Sequence, residues 1–206
     1  MGTSVDKLMR AGFLAIGLLA ATLALPGSLE AQAGLDLSSQ DRVEPTATVL
    51  LKVGKIANEA RLSLGGWAGL VVAEKLAIGG GGFALLNEVD LAGAEGATGF
   101  DLNMGYGGLF FRYWEALSGP IIGEVGLLLG AGHAEVRDRL TRAEVGADNF
   151  LVAEGEMSAL YSVFPGIHLG LSAGYRLTTG VEDLPRVSEG DLNGFTGTLS
   201  VRIGGD

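Results

Sequence analysis

Apolar and polar positions alternate with period two through most of the chain from residue 46 onward. In RLSLGGWAGLVV (61–72), Leu62, Leu64, Ala68, Leu70 and Val72 share one face, and Arg61, Ser63, Gly65 and Gly69 share the other. FDLNMGYGGLF (100–110) sets Phe100, Leu102, Met104, Tyr106 and Phe110 against Asp101, Asn103, Gly105 and Gly107. IHLGLSAGYRL (167–177) opposes Ile167, Leu169, Leu171, Ala173, Tyr175 and Leu177 to His168, Gly170, Ser172, Gly174 and Arg176. FTGTLSVRI (195–203) opposes Phe195, Leu199, Val201 and Ile203 to Thr196, Thr198, Ser200 and Arg202. Such alternation marks strands whose two faces meet different surroundings. Segments 46–53, 76–86, 121–134 and 150–161 bring the predicted strands to eight, and no segment after residue 43 has a helical period.

Connection lengths order these strands. After a first hairpin over 54–60, breaks are short at 73–75, 115–120 and 162–166, and long at 87–98, 135–148 and 179–191. An even number of antiparallel strands with short turns at one end and long loops at the other predicts an all-β fold, an eight-stranded antiparallel up-and-down transmembrane β-barrel. A secreted soluble barrel of lipocalin type shares the layout but turns its apolar face inward.

Glycine argues for the membrane arrangement. The chain carries 35 glycines, and the non-apolar faces hold many of them, with serine, threonine, isolated charges and a single lysine, Lys52. Glycine weakens a solvated strand surface but suits a crowded lumen, which in an eight-stranded barrel is just wide enough for side chains to fill. The Leu/Val/Ala/Ile faces are therefore expected to meet lipid.

The N-terminus points to export. Lys7 and Arg10 precede an apolar run from Ala11 to Leu25, then Pro26, Gly27 and an Ala31-Gln32-Ala33 pattern, which reads as a secretory signal peptide over 1–33 cleaved after Ala33. About 15 apolar residues fall short of the roughly 20 that a spanning helix needs. Residues 34–45 are then expected to be a periplasmic N-terminal tail and 46–206 the barrel. The absence of cysteine excludes disulfides and the lipid anchor of bacterial lipoproteins. The formal charge of −10 argues against a nucleic-acid partner, which requires a basic patch.

In FLVAEGEMSALY (150–161), Glu154 and Glu156 share a strand face because residues i and i+2 always do, with Ala153, Gly155 and Met157 opposite. Neighbouring strands place Arg61, Glu124, His168, Arg176 and Arg202 on the corresponding faces. These seven residues are expected to form a lumenal polar network, with Arg176 as the first choice of partner for Glu156 and Arg202 the next, because buried charges must be paired and hydrogen-bonded.

GGWAGLVV, LAIGGGGFALL, LNMGYGGLFFRY, GLLLGAGHAE, FLVAEGEMSALY, LGLSAGYRL and LNGFTGTLSVRI resemble the strands of the uncharacterised small bacterial outer-membrane β-barrel proteins, and more distantly those of the OmpA transmembrane domain and OmpX-type barrels. The resemblance spans about residues 46–203. It implies a fold and an outer-membrane location and no particular activity. One departure is the ending Val201-Arg202-Ile203-Gly204-Gly205-Asp206, which lacks the terminal aromatic usual in such barrels.

Site chemistry adds little. Two adjacent carboxylates suit glycoside hydrolysis, but a filled lumen denies a sugar access. His168 and Ser172 are four residues apart on one strand face, about 13 Å by strand rise, so a hydrolase triad would need a serine from another strand. His133 and Glu135 are too few for a closed metal site. IGGGGF (78–83) lacks the lysine and helix of a phosphate loop. Trp67, Tyr106, Tyr113, Trp114, Tyr161, Phe164 and Tyr175 suggest interfacial belts, which Trp67 fits least because its face points inward.

The expected function is that of an outer-membrane barrel with a packed polar lumen and a structural or surface-interaction role carried by long acidic loops. Those loops contain Glu88, Asp90, Glu95, Glu135, Asp138, Glu144, Asp148, Glu182, Asp183, Glu189 and Asp191. Expected partners are outer-membrane lipid and, at the acidic loops, divalent cations or basic molecules; Arg137, Arg139 and Arg142 suit lipid phosphates. No cofactor, resident metal or catalytic residue is expected. A lipid-modifying barrel enzyme and a soluble periplasmic ligand-binding barrel are the alternatives.

Overall fold

A computed structural model describes residues 44–57, 59–72, 74–86, 89–91 and 99–204. The expected signal peptide and nearly all of the expected periplasmic tail lie outside these residues. Among the described residues nine strands are present: β1 (Glu44–Ile56), β2 (Glu59–Val71), β3 (Leu76–Leu85), β4 (Val89–Leu91), β5 (Phe100–Ser118), β6 (Ile121–Asp138), β7 (Glu144–Phe164), β8 (Ile167–Thr179) and β9 (Gly194–Ile203). All pairings are antiparallel, and β3–β5 and β1–β9 contacts close eight strands into a ring. The three-residue β4 lies beside the start of β5, where Val89 is opposite Leu102 and Leu91 opposite Phe100. A closed ring leaves no unpaired edge, the condition for strands to cross a bilayer.

Alternating strand direction puts the ends of β1 and β9 nearest the termini at the same rim as the β2–β3, β5–β6 and β7–β8 turns, here called the turn end. Gly119 (φ +54°) and Gly166 (φ +73°) supply the left-handed backbone that two of these turns require. The opposite, loop end carries the β1–β2 turn, the β6–β7 connection and the β8–β9 connection. Strand pairing extends farther here than the sequence suggests, so the β6–β7 connection is reduced to residues 139–143. The β8–β9 connection contains the only departure from an all-strand chain among the described residues, a one-turn helix α1 (Glu189–Leu192), started by Ser188 and Asp191 bonding to each other's backbone or side chain.

Side-chain facing follows the apolar-out, polar-in rule of membrane barrels. Val49, Leu51, Leu64, Leu70, Leu109, Leu127, Leu129, Leu151, Met157, Leu169, Leu171, Leu199 and Val201 are exposed, whereas Thr48, Lys52, Ser63, Arg112, Glu124, Glu154, Glu156, Arg176, Thr198 and Arg202 are buried. A lipocalin arrangement would be the reverse.

Strand β5 is the exception to the predicted facing. Leu102, Met104, Tyr106 and Phe110, expected to meet lipid, are buried in the interior, and Asn103 is exposed. The physical cause is volume. Gly79 and Gly81 of β3 and Gly126, Gly130 and Gly132 of β6 flank β5 on its lumenal side in register. A wall so bare of side chains is filled by Tyr106 and Phe110 from the strand between, which pack on Phe83 of β3 and Trp67 of β2, with Phe83 and Tyr106 centroids 5.3 Å apart and Trp67 and Phe110 6.1 Å apart. The belt assignment therefore fails for Tyr106 and Trp114, which are buried, while Tyr113, Tyr161, Phe164 and Tyr175 are exposed.

Candidate functional site in the barrel lumen

Two charged clusters occupy the lumen. In the first, Lys52 Nζ of β1 donates to Glu154 Oε1 of β7 at 2.5 Å, Tyr106 Oη of β5 donates to Glu154 Oε2 at 2.7 Å, and Thr196 Oγ1 of β9 donates to Glu154 Oε1 at 3.0 Å. The ammonium also lies 3.3 Å from the centroid of the Phe83 ring, an attraction that strengthens when the cation is removed from water. Glu154 thereby receives donors from three strands, the arrangement that makes a buried carboxylate tolerable.

The second cluster sits nearer the turn end. Arg112 Nη1 of β5 lies 2.6 Å from Glu124 Oε1 of β6 and 2.5 Å from Glu156 Oε1 of β7. Arg202 Nη2 of β9 donates to the second oxygen of Glu124. Aromatic faces flank the guanidiniums: Arg112 lies 5.1 Å from the Trp67 centroid, and Arg202 lies 5.7 Å from Trp67 and 5.3 Å from Trp114.

Of the seven residues expected in a lumenal network, six are buried there: Glu124, Glu154, Glu156, His168, Arg176 and Arg202. Arg61 is not among their ion pairs. It stands at the loop-end rim, partly buried, and pairs with Glu59. Arg176 is not the partner of Glu156, which pairs with Arg112. In register Arg176 is opposite Glu154, and its Nε donates to Leu192 O at 2.8 Å and its Nη2 to Lys55 O at 3.2 Å. His168 is buried opposite Arg202. Lys52 and Arg112 belong to the network in addition to the residues expected there. Lys52 was detectable as the single lysine on a polar strand face. Arg112 escaped because the predicted strand stopped at Phe110 with its phase inverted; the correct phase places residue 112 inward.

The other candidate chemistry is dispersed. Ser172 Oγ accepts a hydrogen bond from Ser158 Oγ at 2.9 Å. His133 Nδ1 lies 3.0 Å from Asn149 Oδ1, and Glu135 pairs with Arg137. No group of three or more His, Asp or Glu side chains is placed to hold a metal ion among the described residues.

A loop closes over the first cluster. Leu184, Val187 and Leu192 of the β8–β9 connection belong to the same buried apolar cluster as Ile56, Leu102 and Val136, while Ala57 N donates to Asp191 O at 2.8 Å and Thr178 N to Asn193 Oδ1 at 2.5 Å. Several acidic loop side chains serve this construction. Asp148 Oδ2 accepts from Glu182 N at 2.8 Å and Asp183 N at 2.9 Å, and Glu189 Oε1 accepts from Gly180 N at 2.6 Å. These amide bonds hold the Asp148 and Glu189 carboxyls below their usual ranges, as expected when donors favour the charged form. Asp101 binds Arg139 at 2.7 Å and Arg142 at 3.4 Å, so with Arg137 on Glu135 all three arginines considered for lipid phosphate have carboxylate partners.

No family profile and no curated protein matches the sequence. Solved structures do. Neisserial surface protein A superposes with a TM-score of 0.55 at 14% identity, covering 79% of this chain and 95% of that one. The N-terminal β-barrel domain of Pseudomonas aeruginosa OprF gives 0.46 at 11% identity, covering 77% and 96%. Ail, the attachment invasion locus protein of Yersinia pestis, solved with the heparin analogue sucrose octasulfate, gives 0.46 at 8% identity, covering 79% and 95%. Ring closure by eight antiparallel strands, an apolar exterior and the superposition on the neisserial protein together establish that this chain has the fold of the small eight-stranded outer-membrane β-barrels.

Proposed function

We propose that the protein is a closed, non-conducting barrel of the outer membrane whose role is structural or surface-interactive and is carried at its loop end. The observation behind this reading is the Lys52–Glu154 bridge, which joins β1 to β7 across the lumen with Tyr106 and Thr196 bound to the same carboxylate. Ion pairs of this kind occupy space that water would need for conduction. The hydrophobic cap of Leu184, Val187 and Leu192 lies above them. What reaches solvent is then a loop end bearing carboxylates such as Glu144, Glu182 and Asp183, a surface suited to basic partners or divalent cations.

A non-enzymatic role is favoured by the dispersal of the candidate groups, with His168 and Ser172 four residues apart and Ser172 bonded to another serine. The test has two arms. Purified barrel in planar bilayers should give no discrete conductance steps. Binding of polylysine to the barrel in detergent should weaken with salt and drop severalfold in a Glu144→Gln, Glu182→Gln, Asp183→Asn triple variant. Regular single-channel steps defeat the closed-lumen reading, and salt-independent binding that ignores the triple variant defeats the loop reading.

A further inference from the structure

We propose that the β8–β9 connection is a hinged lid over the loop-end mouth of the lumen, latched from inside by Arg176. That arginine is only 1% exposed, yet it directs its donors to neutral groups. Nε donates to Leu192 O at 2.8 Å and Nη2 to Lys55 O at 3.2 Å, and the guanidinium carbon lies 5.4 Å from the Tyr106 ring centroid. Leu192 ends α1, and the last carbonyls of a helix have no partner within it. A single turn is too short to persist alone, so the guanidinium supplies the missing donor and the cation that a helix C-terminus favours. Through Lys55 the same side chain also grips the end of β1, and one lumenal arginine joins two loop-end segments.

Residues 180–193 are tied to the barrel by contacts that can part without breaking a strand ladder. Among the described residues, one backbone hydrogen bond joins them to another connection, Ala57 N to Asp191 O. Strand β7 holds them through the Asp148 carboxylate, which accepts from the amides of Glu182 and Asp183. At the β8 end stands Gly180, with φ at +88° and open space where a Cβ would be. Glycine there gives the chain the left-handed freedom that a hinge uses.

Arg176 makes the movement reversible. A buried guanidinium requires partners for its donors. With the lid closed, two carbonyls provide them; with the lid displaced, water reaches the nitrogen that Leu192 O leaves. The cluster beneath consists of Lys52 and Arg176 against Glu154, and its surplus positive charge is stabilised by water. Leu184, Val187 and Leu192, in the same apolar cluster as Ile56, favour the closed position because opening exposes them. The turn-end pairs of Arg112 and Arg202 with Glu124 and Glu156 stay in place, so opening hydrates the loop-end half and forms no channel. Lid movement of this kind goes beyond the surface role proposed above and needs no particular partner.

The chain has no cysteine, so single cysteines report water access in the folded full-length barrel in detergent. Ile56, between the two residues that bond to Arg176 and to Asp191, is 0% exposed, and Leu160 near the turn end is 2% exposed. A water-soluble maleimide should modify Ile56→Cys slowly, and about tenfold faster or more when Arg176→Gln is added, as a local opening requires. Its rate on Leu160→Cys should not change. In the unsubstituted protein, hydrogen exchange at the amides of Ala57 and Asn193 should occur together and well before that of ladder amides such as Val53. This second measurement decides the matter if Arg176→Gln fails to fold. Equal rates at position 56 with and without Arg176, equal acceleration at 56 and 160, or an Ala57 amide as slow as that of Val53 would overturn the proposal.

Discussion

Lys52 and Glu154 form an ion pair between strands that do not touch in the sheet: β1 and β7 are separated by β8 and β9 on the ring, and the pair closes 102 residues of sequence with a 2.5 Å contact. The bridge ties opposite walls of the barrel together through side chains only 1% and 2% exposed.

Glu154→Gln should destabilise the barrel by about 3–5 kcal/mol, because removing one member leaves the other charge buried and unpaired. A double-mutant cycle on the heat-modifiable transition should give a large Lys52–Glu154 coupling, a comparable one for Arg112–Glu156, and none for Arg176–Glu156. Coupling of Arg176 to Glu156 equal to that of Arg112 would contradict the observed partners.

Facing is tested on β5. Leu109 is 57% exposed, and Leu109→Arg should block membrane assembly, since a cation at the bilayer midplane costs about 2–4 kcal/mol in a barrel. Leu171→Arg, on a similarly exposed wall position of β8, should act alike. Spin labels at 109 and 171 should be reached by oxygen from lipid, while a label at 110 should be shielded. Oxygen access at 110 with shielding at 109 would restore the phase expected from sequence.

Glycine substitutions should divide by contact. A Cβ on Gly108 would overlap the backbone of Leu129 and Gly130, whereas one on Gly155 would meet nothing within 4 Å. Gly108→Ala should therefore cost about 1–3 kcal/mol through overpacking. Gly155→Ala, relieved of the entropy penalty of a strand glycine, should be neutral or stabilising by about 0.4–1 kcal/mol. Thermal midpoints of the two variants in one detergent settle the comparison.

The loop end should loosen in acid. Asp148 and Glu189 have carboxyl groups held below their ordinary values of 3.8 and 4.5 by backbone amides. A depressed folded-state value means that the contribution is complete above the ordinary value and is lost as pH falls through the folded one. Hydrogen exchange at the amides of Gly180, Glu182 and Asp183, corrected for intrinsic rates, should be unchanged between pH 7 and 5 and should accelerate below about pH 4. In Asp148→Asn the acceleration at 182 and 183 should already be present at pH 7.

The eight strands of the ring, their order and the overall inside-out character were readable from the chain because each rests on a local rule, whereas the three-residue β4 lies in a stretch read as loop. Period two reports a strand with unlike faces, and the alternation of short and long breaks reports an up-and-down path. A glycine-rich polar face reports a lumen too narrow for bulk. The seven other strands of the ring keep the facing these rules predict, and Glu154, Glu156, Arg176 and Arg202 all point inward as their positions on β7, β8 and β9 require.

The phase of β5 and the identity of each ion-pair partner were not local properties. Leu102, Met104, Tyr106 and Phe110 alternate with residues as small as Gly105 and Gly107, so alternation there separates large from small and does not say which belongs to lipid. Only ring closure, which sets β5 between the glycine faces of β3 and β6, creates the void that the aromatic face must fill. Pairing across the lumen has the same origin. Lys52 reaches Glu154 from three strands away on the ring, and Glu156, though near Arg176 along the sheet, meets Arg112 from two strands away over Gly126, which lies opposite both in register and has no side chain to part them.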